Sequence, residues 1–78
     1  MTVEIIPDKD HDLVEIHLDS KCCYKVGIPV LQDLKRFHGI DPVPELRLQI
    51  SNMYDYSEDI LDKISETLTQ YINENYPL

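Results

Sequence analysis

Seventy-eight residues and 9.1 kDa allow one domain over residues 1–78, because chains of this length sit near the lower limit for a self-supporting core. Acids outnumber bases by 15 to 7, a formal charge of -8, so a duplex nucleic acid or an anionic membrane is repelled by the surface rather than collected on it. With only Gly27 and Gly39, the chain cannot build a phosphate-cradling loop, which excludes P-loop and dinucleotide-fingerprint enzymes.

Alanine and tryptophan are absent, yet 42% of the chain is apolar, so the core must be made almost wholly of Ile, Leu, Val and Tyr. No uncharged run is longer than that of residues 26–32, which is too short to span a bilayer, and no basic segment followed by an apolar one opens the chain. The expected location is cytoplasmic.

Residues 2–6 and Leu13–Leu18 are rich in aliphatic and β-branched side chains, and the second stretch alternates Val14, Ile16 and Leu18 with Glu15 and His17. Pro7 and the polar run DKDHD between them suit a hairpin loop. After a short turn at Asp19, Ser20 and Lys21, a third alternation sets Cys22, Tyr24 and Val26 against Cys23 and Lys25. These three segments predict an antiparallel meander.

Pro29 suits the first turn of a helix carrying Val30, Leu31, Leu34 and Phe37 on one face. Lys35, Arg36 and His38 stand at its cation-favouring end, and Gly39 closes it. Pro42 and Pro44 then lead into residues 45–50, where Leu46, Leu48 and Ile50 alternate with Arg47 and Gln49, the pattern of a fourth strand. The last element is a helix with Ser57 as N-cap, Glu58 and Asp59 in the first turn, and Ile60, Leu61, Ile64, Leu68, Tyr71 and Ile72 in one stripe. Asn75, Tyr76 and Pro77 end it. The resulting order, βββαβα, predicts an α+β domain of two layers: an antiparallel-rich four-stranded sheet with two helices on one face.

The stretch PVPELRLQI, followed by a polar turn and an amphipathic helix, resembles the carboxyl half of RWD interaction domains. The match covers under half the chain. Their tyrosine-proline turn has no counterpart before Pro42 and their leading helix is missing, so no family is assigned.

No metal or cofactor is expected. Asp8, Asp10, Asp12 and Asp19 follow the acidic spacing of a calcium loop, but Leu13 stands where that loop needs glycine. His17, Cys22, Cys23 and His38 show none of the paired spacing of zinc sites. A thiol enzyme centred on His17 and Cys23 has no third group or oxyanion donor suggested by the sequence.

Charge gives the stronger signal. Residues 1–39 hold 7 acids and 5 bases, whereas residues 40–78 hold 8 acids and 2 bases. At 100° per residue, Asp55, Glu58, Asp59, Asp62 and Glu66 fall in one arc opposite the apolar stripe, flanked by Tyr54 and Tyr56. Like charges at i, i+4 and i+8 weaken a helix, so stability does not place them there; one reading is net charge kept for solubility, the other a face that binds a partner. The expected function is non-enzymatic binding by an inhibitor or regulator whose acidic face docks on a basic protein surface, with Asp55, Glu58, Asp59, Asp62 and Glu66 giving the charge and Tyr54 and Tyr56 adding apolar contact area. The partner could be a nucleic-acid-handling protein, with the chain acting as a partial DNA mimic, antitoxin-like or phage-type. A full mimic would need Asp8, Asp10 and Asp12 to supply a second row. No direct nucleic acid or membrane partner is expected, and the state is monomer or small homo-oligomer. The alternatives are a structural subunit of a larger assembly or, less favoured, the thiol enzyme.

Overall fold

The second strand forms where its alternation predicts it, whereas the first runs on through Pro7 and Asp8, which the sequence pattern assigns to the hairpin loop; an edge strand tolerates the proline. In the computed structural model, which describes residues 2–31, 39 and 41–75, β1 spans Val3–Asp8 and β2 spans Leu13–Leu18. They pair antiparallel from Val3 opposite Leu18 to Asp8 opposite Leu13. β3, Lys21–Gly27, pairs with β2 across a two-residue turn in which Asp19 and Ser20 have φ of 49° and 70°. Two successive left-handed residues match the twist of the flanking strands. Asp19 also ties down the start of the chain, because its side chain accepts from the Thr2 amide at 2.9 Å and its own amide donates to the Thr2 carbonyl.

β3 corrects one expectation. Ile16 pairs with Tyr24 and His17 with Cys22, leaving Cys23 as the extra residue of a β-bulge. The bulge switches the side-chain parity along the strand. Cys22 lies on the outer face with His17, whereas Cys23, Tyr24 and Val26 contribute to the core side. Cys22, Tyr24 and Val26 therefore do not share one face.

Residues 28–31 are helical, as Pro29 predicts, and Leu31 is buried. The remainder of the predicted helix, with Leu34, Lys35, Arg36, Phe37 and His38, lies outside the described residues. Gly39 has φ of 62°, a backbone conformation suited to glycine.

The predicted fourth strand is absent among the described residues. Residues 45–50 belong to the helix α1, Val43–Met53, so the sheet has three strands in the order β1-β2-β3. The class remains α+β, but the order is three strands followed by helical segments. Three local features favour the helix. Asp41 Oδ1 accepts from the Val43 amide at 3.0 Å, Pro44 falls in the first turn where no donor is missed, and Val43, Leu46 and Ile50 bury one helical face. Leu48 is left 56% exposed, and this residue made the period-two pattern look convincing.

The final helix, α2, runs Glu58–Asn75 and begins where predicted. The Ser57 carbonyl accepts from the Leu61 amide at 3.1 Å and its hydroxyl lies 3.4 Å from the Ile60 amide. Leu61, Ile64, Leu68 and Ile72 are buried, with Ile60 and Tyr71 packed at the edges of the stripe. α2 lies against β1 and α1. One core joins Val14, Ile16, Leu18 and Val26 of the sheet to Leu46 and Ile50 of α1 and the stripe of α2. Among the described residues no helix is long and apolar enough to cross a membrane.

Candidate functional site

The acidic ridge follows from the amphipathicity of α2. Burying Leu61, Ile64, Leu68 and Ile72 turns Glu58, Asp59, Asp62 and Glu66 outward, and all four are exposed. Asp55 is exposed too, but it precedes the helix in the connector at residues 55–57 and is not part of the helical arc.

α1 places a counter-ion against this ridge. Arg47 neighbours the buried positions Leu46 and Ile50 on the helix, which directs its side chain toward α2. One guanidinium nitrogen donates to Asp62 Oδ1 at 2.6 Å and to Ser65 Oγ at 3.3 Å, and the other donates to Glu58 Oε2 at 2.7 Å. The Ser65 hydroxyl in turn donates to the Leu61 carbonyl at 2.8 Å. Asp62, and after it Glu58, hold the guanidinium charged and push its pKa above the usual arginine value. The clamp cross-links α1 to α2, although Glu58 and Asp62 remain 84% and 58% exposed. Exposed pairs of this kind contribute modestly to stability.

The clamp lowers the charge density of the ridge. Over residues 58–66, four carboxylates face Arg47 and Lys63. Eight rises of 1.5 Å span about 12 Å, so the net density is about one charge per 6 Å, against about 3.4 Å per phosphate on one DNA strand. The ridge is acidic but sparser than a nucleic-acid backbone.

Tyr54 and Tyr56 have a structural role. Their rings stack with centroids 5.0 Å apart at an interplanar angle of 14°. The Tyr54 hydroxyl donates to the Cys23 carbonyl at 2.6 Å, providing a partner for the bulged residue. Both rings are half-buried against the core, and burial raises the Tyr56 pKa. Tyr24 fixes the other side of α1 by donating its hydroxyl to Gln49 Oε1. Tyr54 and Tyr56 thus precede α2 as a stacked, half-buried pair beside the ridge.

The other candidates separate. Asp8 accepts from His11 Nδ1 at 2.9 Å, which holds the Asp8 carboxyl below the usual aspartate range. Asp8, Asp10 and Asp12 belong to the β1–β2 hairpin, at the end of the sheet where Leu13 meets Gly27. His17 and Cys23 occupy opposite faces of the sheet, so the thiol–imidazole pair considered from the sequence is not assembled. Arg47 is the functional residue that sequence reasoning missed. Its signal is present once residues 43–53 are helical, because it stands one position from a buried stripe beside an acidic neighbour.

Comparison with protein-family models, curated proteins and solved structures finds no match to this chain.

Proposed function

We propose that this chain is a non-enzymatic binding protein, an inhibitor or regulator that docks the outer ridge of α2 on a basic surface of a partner protein. The observation that supports it most is the exposure of Glu58, Asp59, Asp62 and Glu66 on the face opposite a fully buried stripe. Lys63 and a single arginine from α1 counter only part of that charge. Such a ridge accelerates encounter with a cationic surface and favours correct orientation. The density of about one charge per 6 Å supports recognition of a protein surface over imitation of a duplex.

Asp59 and Glu66 are the informative positions, because Arg47 bonds neither. The Asp59→Lys/Glu66→Lys variant changes the ridge while leaving the clamp intact. The test immobilises wild type and variant separately and identifies captured proteins at low and high salt. The expected result is a partner held by wild type at low salt, released as salt rises, and not held by the variant. Capture of the same partner by both chains, or at all salt concentrations alike, would refute the reading.

A further inference from the structure

The outer face of the sheet, turned away from the helices, carries a different chemistry. Glu15 and His17 are two residues apart on β2, so their side chains rise from the same face. The two-residue Asp19–Ser20 turn fixes Cys22 of β3 opposite His17. A carboxylate oxygen of Glu15, an imidazole nitrogen of His17 and the Cys22 sulfur all lie within 4.8 Å of one another. His17 and Glu15 are 17% and 22% exposed, and Cys22 is exposed. Two donors are therefore held down on the sheet and the third stands at the mouth.

We infer that Glu15, His17 and Cys22 form a binding site for a divalent cation of the borderline-soft class, with Zn2+ the best fit. Thiolate and imidazole select this class over Mg2+ and Ca2+, which take oxygen donors. The geometry is close to what a tetrahedral ion needs. Metal–donor bonds of 2.0–2.3 Å place donor atoms about 3.3–3.6 Å apart. The His17 Nε2 to Glu15 Oε1 distance of 2.8 Å must open by about half an ångström, and the sulfur must close by no more than about 1.5 Å. Side-chain rotation supplies both movements while the strand backbones stay fixed.

The surrounding charges favour a cation. Glu4 lies opposite His17 on β1, and Lys25 lies opposite Glu15 on β3, so one neighbouring charge offsets the other and the carboxylate and thiolate of the site remain. Binding displaces the thiol proton of Cys22 to solvent and breaks the His17 Nε2–Glu15 hydrogen bond. The Nε2 proton leaves and the neutral ring keeps its proton on Nδ1, so the Nε2 lone pair is freed for the ion and affinity rises with pH. Three protein donors leave the fourth position to water or to a side chain of another protein.

The test titrates the full chain, kept reduced, with Co2+ as a spectroscopic substitute and then with Zn2+ in competition. The expected result is a thiolate-to-cobalt charge-transfer band saturating at one ion per chain and displaced by Zn2+. Cys22→Ser abolishes the band and Cys23→Ala retains it. His17→Gln weakens binding about a hundredfold or more, because even the outer-sphere partners of metal ligands are worth about 10–100-fold. Far-UV circular dichroism of each variant confirms that the fold is retained. No band in the wild type, a band that survives Cys22→Ser, or one ion shared between two chains overturns the proposal.

Discussion

The helical state of residues 45–50 decides where Arg47 points, so the ridge and its clamp depend on it. Substitutions at Leu48 and Ile50 test it directly. In a strand, Leu46, Leu48 and Ile50 share one face and are buried alike. In α1, Ile50 is 0% exposed and Leu48 is 56% exposed. Ile50→Val removes one methylene, worth about 1 kcal/mol with its cavity. Ile50→Ala removes three carbons, and at about 0.8 kcal/mol each plus the cavity the loss is about 3–4 kcal/mol. Leu48→Ala removes a mostly solvated side chain and introduces the better helix former, so its effect stays within about 0.5 kcal/mol. A chain of this length has a total stability of about 4–12 kcal/mol, which makes the valine variant the safer measurement at position 50. Urea and thermal unfolding followed by far-UV circular dichroism should show Ile50→Val lowering Tm by about 4–8 °C and Leu48→Ala leaving it nearly unchanged. Equal losses for Leu48→Ala and Ile50→Ala would refute the helix.

The two thiols should differ sharply in reactivity. Cys22 is exposed, whereas burial and then the neighbouring Cys22 push the Cys23 thiol pKa up and deplete its thiolate. An aromatic disulfide reagent should therefore modify Cys22 rapidly and Cys23 only on unfolding. Because a strand without the bulge would bury Cys22 and expose Cys23, preferential labelling of Cys23 in the native protein would contradict the bulge. Ser20 holds φ of 70°, so Ser20→Gly should relieve about 1–2 kcal/mol of left-handed strain against about 0.5–1 kcal/mol of added chain entropy. The expected net gain is about 0.5–1 kcal/mol in urea unfolding, and a loss would show that Ser20 makes a compensating contact.

Strand β2 and helix α2 were legible because one face of each is buried and the other solvated, so hydropathy repeats at the period of the element. β1, in which only Val3 and Ile5 pack half-buried on the core, was legible from its aliphatic and β-branched composition, and its end was not. Ser57 and the first-turn acids added local chemistry at the start of α2. The segment 45–50 misled because Leu48 produces the period of a strand while Val43, Leu46 and Ile50 satisfy that of a helix. Alternation counted over six residues cannot separate these, and only the Asp41 side chain on the Val43 amide and the tolerance of Pro44 in a first turn tip the balance. The bulge at Cys23 was illegible for a different reason. It carries no glycine, and its effect is to let Cys23 and Tyr24 face the core together, which depends on the Tyr54 hydroxyl arriving from 31 residues away. The ridge was readable as charge on a helix face, but its density was not, because Arg47 reaches Glu58 and Asp62 only through the packing of α1 on α2.

The packing also makes the two proposed sites independent. The ridge lies on the outer side of α2 and the Glu15–His17–Cys22 triad on the outer side of the sheet, with the shared core between them. A helix about 10–12 Å across and a layer spacing of about 10 Å put them about 15 Å or more apart, beyond the Debye length of about 10 Å at 0.1 M salt. Charge reversal on the ridge therefore leaves the cobalt titration unchanged, and Cys22→Ser leaves salt-dependent docking intact. Loss of one behaviour with retention of the other identifies which site failed. Coupling between them would require a rearrangement of the core that neither the double ridge variant nor Cys22→Ser touches.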